Sequence, residues 1–297
     1  MTEKNDAVIF TFIAKTDIWT GDVNGKSDLL KHTGLLGSIR WWFEVVVRGL
    51  GGYACDPSNT KCQNKNPCVV CELFGCTGWA RKFRFDVLGI NDEYIQKQIK
   101  ANDEFKLKFT PLRPIKEEEW VLLSLTLKLI AKYGAIGGKT VFKPSDGTHK
   151  DRLHHKDFGL VRLKKQPPFK KETTDNLADL KNYAIAPQWR KNNNENFWAS
   201  LSNFWCVIEK PYLATNDFNK ILKQDRWLAG TQQESKKIFS FKNPQRTFGF
   251  VKPDLIKHDS MKEKLKKQVW HDLDKEYING VDEILTSLIQ QLRRSKS

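Results

Sequence analysis

Residues 34–85 read GLLGSIRWWFEVVVRGLGGYACDPSNTKCQNKNPCVVCELFGCTGWARKFRF, and this stretch decides the fold. Its first part places apolar side chains at helical spacing, which predicts an amphipathic helix with one wide buried face: Leu35, Leu36, Ile39, Trp42, Phe43, Val46, Val47 and Leu50. Thr33 is the expected N-cap, and Gly51-Gly52 is expected to end the helix. Five of the six cysteines follow, and Trp79–Val87 then alternates as a strand does.

Elements on either side of this stretch complete a βαββαβ order. Val8–Lys15 reads as a first strand, and Glu104–Phe109 alternates as a third. Glu117–Lys132 has helical spacing, and Phe158–Leu163 forms a fourth strand. The order predicts an α+β, ferredoxin-like fold, in which two helices pack on one face of a four-stranded antiparallel sheet.

The charged segment Lys164–Asp179 carries Pro167-Pro168 and is the expected linker. We therefore expect a first domain at residues 1–165, with a cysteine-rich insertion at 52–78, and a second domain at 166–297.

The second domain has a weaker pattern. Phe197–Ile208 has helical spacing, Lys237–Phe241 and Thr247–Val251 read as short strands, and Met261–Arg293 reads as a long helix with a possible break near Asn279-Gly280. A second, divergent ferredoxin-like unit fits these pieces. No internal repeat is visible, and the sequence leaves the order of its strands open.

The cysteines favour a metal site. A C-x2-C pair places two thiolates at one ion, and two more from an irregular loop complete a tetrahedral zinc site with four sulfurs. The predicted ligands are Cys55, Cys62, Cys68 and Cys71. Such a shell is closed, so the zinc would be structural. The alternative is that these cysteines are reduced structural thiols without a metal. Cys76 is not among the predicted ligands. Cys206 is expected in the core.

Charge and composition indicate a polyanionic partner. Lys and Arg number 50 against 35 Asp and Glu, which gives a formal net charge of +15, and the excess lies on both sides of Lys165. With ten Trp, this favours nucleic acid over a membrane surface, against the alternative of a basic but unspecialised surface. Arg81, Lys82 and Arg84 alternate with aromatic residues and are candidate RNA contacts. The N-terminus lacks a signal-peptide pattern, so a cytoplasmic location is expected.

With helix, cysteines and strand side by side, the segment TGLLGSIRWWFEVVVRGLGGYACDP followed by CVVCELFGCTGWARKFRF closely resembles the RAMP proteins of type III CRISPR effector complexes. Within that family it is similar to the first-numbered subunits of type III-B (Cmr) complexes. The resemblance implies two ferredoxin-like folds related to RNA-recognition domains, at one end of a backbone of RAMP subunits. There such subunits help to hold the guide CRISPR RNA and the single-stranded target RNA paired with it.

The resemblance also implies which segments meet RNA. The loop and helix start at 32–40 corresponds to the family's segment that approaches the RNA backbone, with His32, Thr33, Gly34, Ser38, Arg40 and then Trp41 as candidate contacts. Small residues and helix N-terminal amides suit phosphate. The family's glycine-rich loop corresponds to Gly134, Gly137 and Gly138, with Lys139 beside it. The basic segment TVFKPSDGTHKDRLHHKDFG lengthens this loop beyond the family's pattern.

Two other functions remain open at this stage. RAMP relatives include metal-independent endoribonucleases, and the early loop carries Asp17, Asp22 and Asp28, with His32 nearby and His154-His155 further on. Because the resemblance is to an end subunit, we predict a non-catalytic protein with no catalytic residues. The remaining alternative is a free-standing RNA-binding module with structural zinc.

Overall fold

The computed structural model describes residues 6–22, 24–56, 62, 66–138, 153–168, 177–191, 197–223, 225–231 and 234–294. Four antiparallel strands form the first sheet in the order β2-β3-β1-β4: β1 (Val8–Ala14), β2 (Phe83–Leu88), β3 (Glu104–Pro111) and β4 (Val161–Lys165). Its helices are α1 (His32–Gly49), the short α2 (Val69–Phe74) and α3 (Glu117–Lys132). The predicted ferredoxin-like unit is confirmed.

Aromatic pairs across neighbouring strands hold the first sheet together. Phe12 and Phe105 are register partners in β1 and β3, and their rings stack with centroids 5.7 Å apart. Phe109 contacts Phe83 at 5.1 Å and Phe10 at 6.0 Å. Because side chains alternate along a strand, these phenylalanines and the face of α1 share one core.

The second sheet repeats this topology, with the order β6-β7-β5-β8. Its strands are β5 (Phe204–Val207), β6 (Ile238–Lys242), β7 (Gln245–Phe250) and β8 (Tyr277–Asn279). The remaining helices are α4 (Leu177–Ile185), α5 (Thr215–Lys223), α6 (Arg226–Ala229), α7 (His258–Gln268) and α8 (Val281–Arg294), with 3-10 turns at Leu153–His155 and Leu201–Asn203. The described residues thus form a second ferredoxin-like unit.

Three local predictions are wrong. Within Phe197–Ile208 the structure has strand β5 instead of a helix, because all four strand residues are buried and no alternation marks them. The predicted helix Met261–Arg293 is broken at Asn279-Gly280, as the possible break indicated, but the interruption begins already after Gln268 and includes strand β8. Helix α1 begins at His32 with Lys31 as its N-cap, so Thr33 lies in its first turn.

Helix α3 lies in the centre of the molecule. Every residue from Glu119 to Ile130 is buried, which is typical of a helix covered on all sides. Helix α1 is also covered by both units: Trp42 lies 5.9 Å from Phe204 and 5.8 Å from Phe248, both in the second sheet. The two units therefore share a core, and the predicted boundary at residue 165 stays a prediction.

Arg246 of β7 joins the units by hydrogen bonds to the end of α3. Its guanidinium donates to the backbone oxygens of Ala131 at 2.9 Å, of Ile130 at 3.3 Å and of Gly134. The last carbonyls of a helix have no partner within the helix, and Arg246 supplies one. Burial lowers the pKa of Arg246 to about 10, so the side chain stays charged at neutral pH.

No helix in the described part of the chain is both long and apolar enough to cross a membrane.

We expect Arg246→Ala to lower the free energy of unfolding by about 2–4 kcal/mol, because it leaves buried carbonyls without a donor. Urea denaturation measures the change. Arg84→Ala is the control, since the Arg84 side chain is 54% exposed, and it should cost less than about 0.5 kcal/mol. Equal losses in the two variants would contradict the bridging role of Arg246.

Candidate metal centre and nucleic-acid interface

The four predicted ligands come together in one buried cluster. The sulfurs of Cys55, Cys62, Cys68 and Cys71 all lie within 4.8 Å of one another, and those of Cys55 and Cys71 are 3.4 Å apart. A tetrahedral ion with metal–sulfur bonds of about 2.3 Å holds its sulfurs roughly 3.8 Å apart. The geometry therefore fits one metal ion, and Cys76 is outside the group, as predicted.

Helix α2 and the turn after it position the C-x2-C pair. Cys68 is the N-cap of this helix and Cys71 lies in its first turn, while the Cys68 amide donates to the Cys62 sulfur at 3.2 Å. Gly75 ends the helix with a φ of +80°, and a Cβ there would lie 2.7 Å from the Arg81 nitrogen. This close turn needs a glycine, and it leads the chain back into β2.

Cations surround the sulfurs, which is what a set of thiolates requires. Four thiolates on a divalent ion carry a net charge of about −2. Arg40 donates from Nη2 to the Cys71 sulfur at 3.2 Å. Burial acts to lower the pKa of Arg190, but its interaction with the Cys62 sulfur raises it. Burial alone would lower the pKa of Arg40, but the charges of Cys71 and Glu44 raise it. Hydrogen bonds from the other thiols of the cluster lower the pKa of Cys62, and the bond from Cys55 has the largest effect. The donor set and its charged neighbours thus fit a metal.

The Arg40 side chain therefore bonds to the cysteine cluster and its neighbours. Its Nε donates to Glu44 at 3.1 Å and its Nη1 to the backbone oxygen of Gly75 at 2.6 Å, in addition to the bond with Cys71. The sequence predicted Arg40 as an RNA contact on a helix face. The structure gives the side chain a structural role, because all three of its nitrogens donate to neighbouring protein groups.

Lys82 also lies elsewhere than predicted. The sequence placed it on an exposed strand face, but it is buried, and its Nζ lies 2.8 Å from Glu119 and 2.7 Å from Glu72. Glu119 in turn accepts from the Lys116 amide at 2.8 Å and caps α3. Lys82 therefore joins the cysteine insertion to the start of α3. Of the neighbouring candidates, Arg81 is partly exposed and Arg84 pairs with Asp86 at 3.0 Å.

Two separately predicted segments meet at one groove. Gly34, Ser38 and Trp41 of α1 and Gly137 and Gly138 after α3 line a cavity of about 380 Å³. Its other walls are mostly aromatic and come largely from the second unit: Trp42, Ala135, Trp198, Ser235, Phe239 and Phe248. We call this cavity the glycine groove. Ser38 Oγ accepts from the Gly137 amide at 3.0 Å, so the two segments are directly bonded.

Close packing explains the glycines at the groove. Gly137 has a φ of +101°, and a Cβ would lie 2.5 Å from the Trp19 backbone oxygen. A Cβ on Gly134 would lie 2.6 Å from the Trp42 ring. The Gly138 amide donates to the Trp19 oxygen at 2.9 Å. The loop is therefore held in one conformation by α1 and by the segment after β1.

Among the described residues, the other candidates do not line the groove. His32 Nε2 is 2.9 Å from the Ile95 oxygen, and Thr33 is exposed in the first turn of α1. Lys139 lies outside the described residues. Asp17 accepts from the Ala101 amide at 2.9 Å and pairs with a lysine. Asp22 accepts two amides of its own loop, and the bond from Lys26 lowers its pKa.

The aromatic wall of the groove is not predictable from the sequence. Trp198 and Phe239 are half-buried and line the cavity with Trp41, and the rings of Trp41 and Trp198 lie 6.4 Å apart. These residues are distant in sequence, and no local pattern marks them. Only the abundance of Trp indicated a stacking surface.

Gly137→Ala should destabilise the protein by about 1–3 kcal/mol, because both its backbone conformation and its contact with Trp19 exclude a side chain. Gly138→Ala is the matched control, since its φ is not positive and the nearest atom to a Cβ is 4.0 Å away. Thermal unfolding of both variants is the measurement. If the two alanines were equally tolerated, the glycine groove would not depend on this conformation.

The RAMP superfamily model matches residues 11–142. No curated protein sequence matches the chain. Among solved structures, Cmr1 from Pyrococcus furiosus, in the apo form, is 10% identical, with 95% of this chain and 96% of that chain covered and a TM-score of 0.49. A chain of the type III-B Cmr-beta complex bound to cognate target RNA is 10% identical, with 95% and 99% covered and a TM-score of 0.46.

A chain of the Csm3-Csm4 subcomplex of the type III-A CRISPR-Cas interference complex is 13% identical, with 60% of this chain and 93% of that chain covered and a TM-score of 0.29. The family match runs from β1 through both principal helices to the loop after α3, and it includes the cysteine cluster and one side of the glycine groove. Residues 11–142 of this chain are thus similar to the RAMP superfamily.

Proposed function

We propose that this chain is a non-catalytic RNA-binding subunit of a type III-B CRISPR ribonucleoprotein. In that complex it helps to hold the guide CRISPR RNA and the paired target RNA at the end of a backbone of RAMP subunits, for antiviral defence in the cytoplasm. One observation carries the proposal. The two segments that the family resemblance assigns to RNA, at the start of α1 and after α3, both line one groove.

The chemistry of the groove suits a nucleic acid strand. The glycines leave room for a backbone to approach closely, and the half-buried side chains of Trp41 and Trp198 line the groove, where aromatic rings favour the stacking of bases. Stacking is worth about 1–3 kcal/mol per base and does not depend on base identity. The net charge of +15 supplies the long-range attraction. A guide-holding protein needs this combination, since each guide has a different sequence.

Among the groove-lining residues, Gly34 allows the sharpest test of RNA contact. Gly34→Asp adds a negative charge to the groove, while an acid in the first helical turn favours the helix. We expect it to weaken binding of single-stranded RNA by roughly ten-fold or more, because it repels a phosphate and fills the approach. Fluorescence anisotropy at fixed salt measures the affinity.

Gly37→Asp is the matched control. Gly37 lies one turn along the same exposed helix surface, a Cβ there meets no atom within 4 Å, and it does not line the groove. The charge change is identical, so a difference between the two variants isolates position from net charge. RNA affinity that is unchanged in Gly34→Asp, or equally weakened in both variants, would count against the groove as the RNA site.

For the metal centre we propose a structural zinc ion. Four sulfur ligands satisfy a tetrahedral ion and leave no position for water, so when bound it would brace the insertion at residues 52–78 without taking part in chemistry. Cys55, Cys62, Cys68 and Cys71 would hold it, with Arg40 and Arg190 offsetting the charge of the sulfurs.

Protein prepared without chelator should contain about one zinc per chain by elemental analysis. Cys68→Ser should lose most of it and lower the melting temperature, because metal binding is coupled to folding. Cys76→Ser serves as the control, since Cys76 lies outside the cluster, and it should keep its zinc. Less than half an equivalent in the unmutated chain would contradict the proposal.

The proposal assigns no catalytic residue to this chain. Guide-dependent cleavage of target RNA by the assembled complex should therefore persist in Asp28→Ala and His32→Ala variants of this subunit. Cleavage that disappears with either substitution, in a complex that still assembles, would make the chain an endoribonuclease.

RNA that co-purifies with one repeated length would separate a CRISPR subunit from a free-standing RNA-binding module.

A further inference from the structure

A second cavity, of about 520 Å³, lies between α3 and the edge strand β4. Its lining is strongly basic: Lys128 and Lys132 come from α3, and Arg162, Lys164 and Lys165 come from β4. No carboxylate lines it among the described residues. We call it the lysine pocket. It shares no lining residue with the glycine groove, so the proposed RNA contacts leave it unexplained.

Lys128 is the unusual member of this set. It lies in the fully covered stretch of α3 and is only 6% exposed, yet within the described residues no ion pair or side-chain hydrogen bond involves its Nζ. A buried charge without a counterion is costly, and proteins ordinarily pair it. Burial, with the charge of Lys132 as a smaller cause, lowers the pKa of Lys128 to about 8. The side chain thus lines the cavity as a desolvated cation.

Its neighbours compensate for this charge only in small part. Lys132 donates to Ser287 at 3.0 Å, which brings no negative charge. Lys164 is half-exposed and pairs with Glu104 at 2.7 Å. Arg162 and Lys165 are exposed at the cavity, and the described ion pairs include neither of them. Five cations therefore converge with one carboxylate at their margin, an arrangement that an anion would stabilise.

The size and polarity of the site select the anion. An opening of this volume, with exposed lysines and an arginine at its mouth, suits a phosphate group, which can accept several charge-assisted hydrogen bonds at once. β4 adds a sheet edge, where backbone N–H groups face outward. We propose that the lysine pocket binds a phosphate group of the RNA held by this chain, with Lys128 as the buried contact. The assignment to RNA rests on the proposed function, but the site itself does not.

Inorganic phosphate titrated into the full chain tests the pocket without RNA, by calorimetry at low ionic strength. Lys128→Met keeps the length of the side chain and removes a buried charge, so it should fold at least as stably as the natural chain. We expect it to raise the dissociation constant for phosphate by roughly ten-fold or more, the loss of one charge-assisted bond. Lys220→Met, which removes an exposed lysine in the second unit, is the control for net charge and should change it less than about two-fold.

Arg162→Met provides an independent variant at the mouth of the pocket, because Arg162 is exposed and its loss leaves the core intact. It should also weaken phosphate binding. Phosphate affinity that is unchanged in both Lys128→Met and Arg162→Met would overturn the proposal that the lysine pocket binds phosphate, whether or not the chain binds RNA.

The source of the phosphate is tested by competition. A single-stranded RNA without terminal phosphates should displace inorganic phosphate from the natural chain. In Lys128→Met, the slope of log RNA affinity against log salt concentration should become shallower by about 0.7, because one phosphate contact is lost. Displacement only by RNA with a terminal phosphate would assign the pocket to an RNA end. No displacement by either RNA would overturn the assignment to RNA. The Gly34→Asp variant should still bind inorganic phosphate, so failure of the groove and failure of the pocket remain distinguishable.

Discussion

The burial of helix α3 from Glu119 to Ile130 is the constraint on which the rest of the structure depends. A polar group on a helix covered on every side is costly unless another element supplies a partner. Glu119 at its start is therefore paired with Lys82, and the carbonyls at its end are bonded by Arg246. The first bond connects α3 to the cysteine insertion through Glu72, and the second connects it to the second sheet. The two units are joined through the polar requirements of one helix as well as through apolar contacts.

Helix α1 follows the same rule, and this gives the cysteine cluster its place. Glu44 is buried and lies between Arg40 and Arg48. Burial raises the pKa of Glu44, while the two arginines act against that shift. Arg40 also donates a hydrogen bond to the Cys71 sulfur, and Arg48 donates to the backbone oxygens of Ala54 and Ala199. One carboxylate thus connects the cysteine cluster, the start of the insertion and the second unit. A metal in the cluster would stiffen a network that also supports α1, the helix that forms one side of the glycine groove.

The sequence predicted those features that local physics controls. The order of strands and helices in the first unit follows from periodicity, and Gly137 follows from a backbone conformation that other residues avoid. The cysteine set follows from spacing. It could not predict where long cationic side chains point, because Arg40 and Lys82 are directed by acids and sulfurs that come from other elements. Strand β5 was misread for a related reason. It is buried on both faces, so its residues show no period of two.

The basic residues of this chain are of two kinds. Lys82 is buried, Arg40 and Arg246 are partly buried, and all three donate to several neighbouring protein groups, so their charges stabilise the fold. Lys128 is buried as deeply as Lys82 but has no acidic partner among the described residues, and it lies on a cavity with four other cations. A high net charge therefore does not by itself locate a polyanion. A cluster of cations that acids offset only in small part is the better guide, and the lysine pocket is such a cluster.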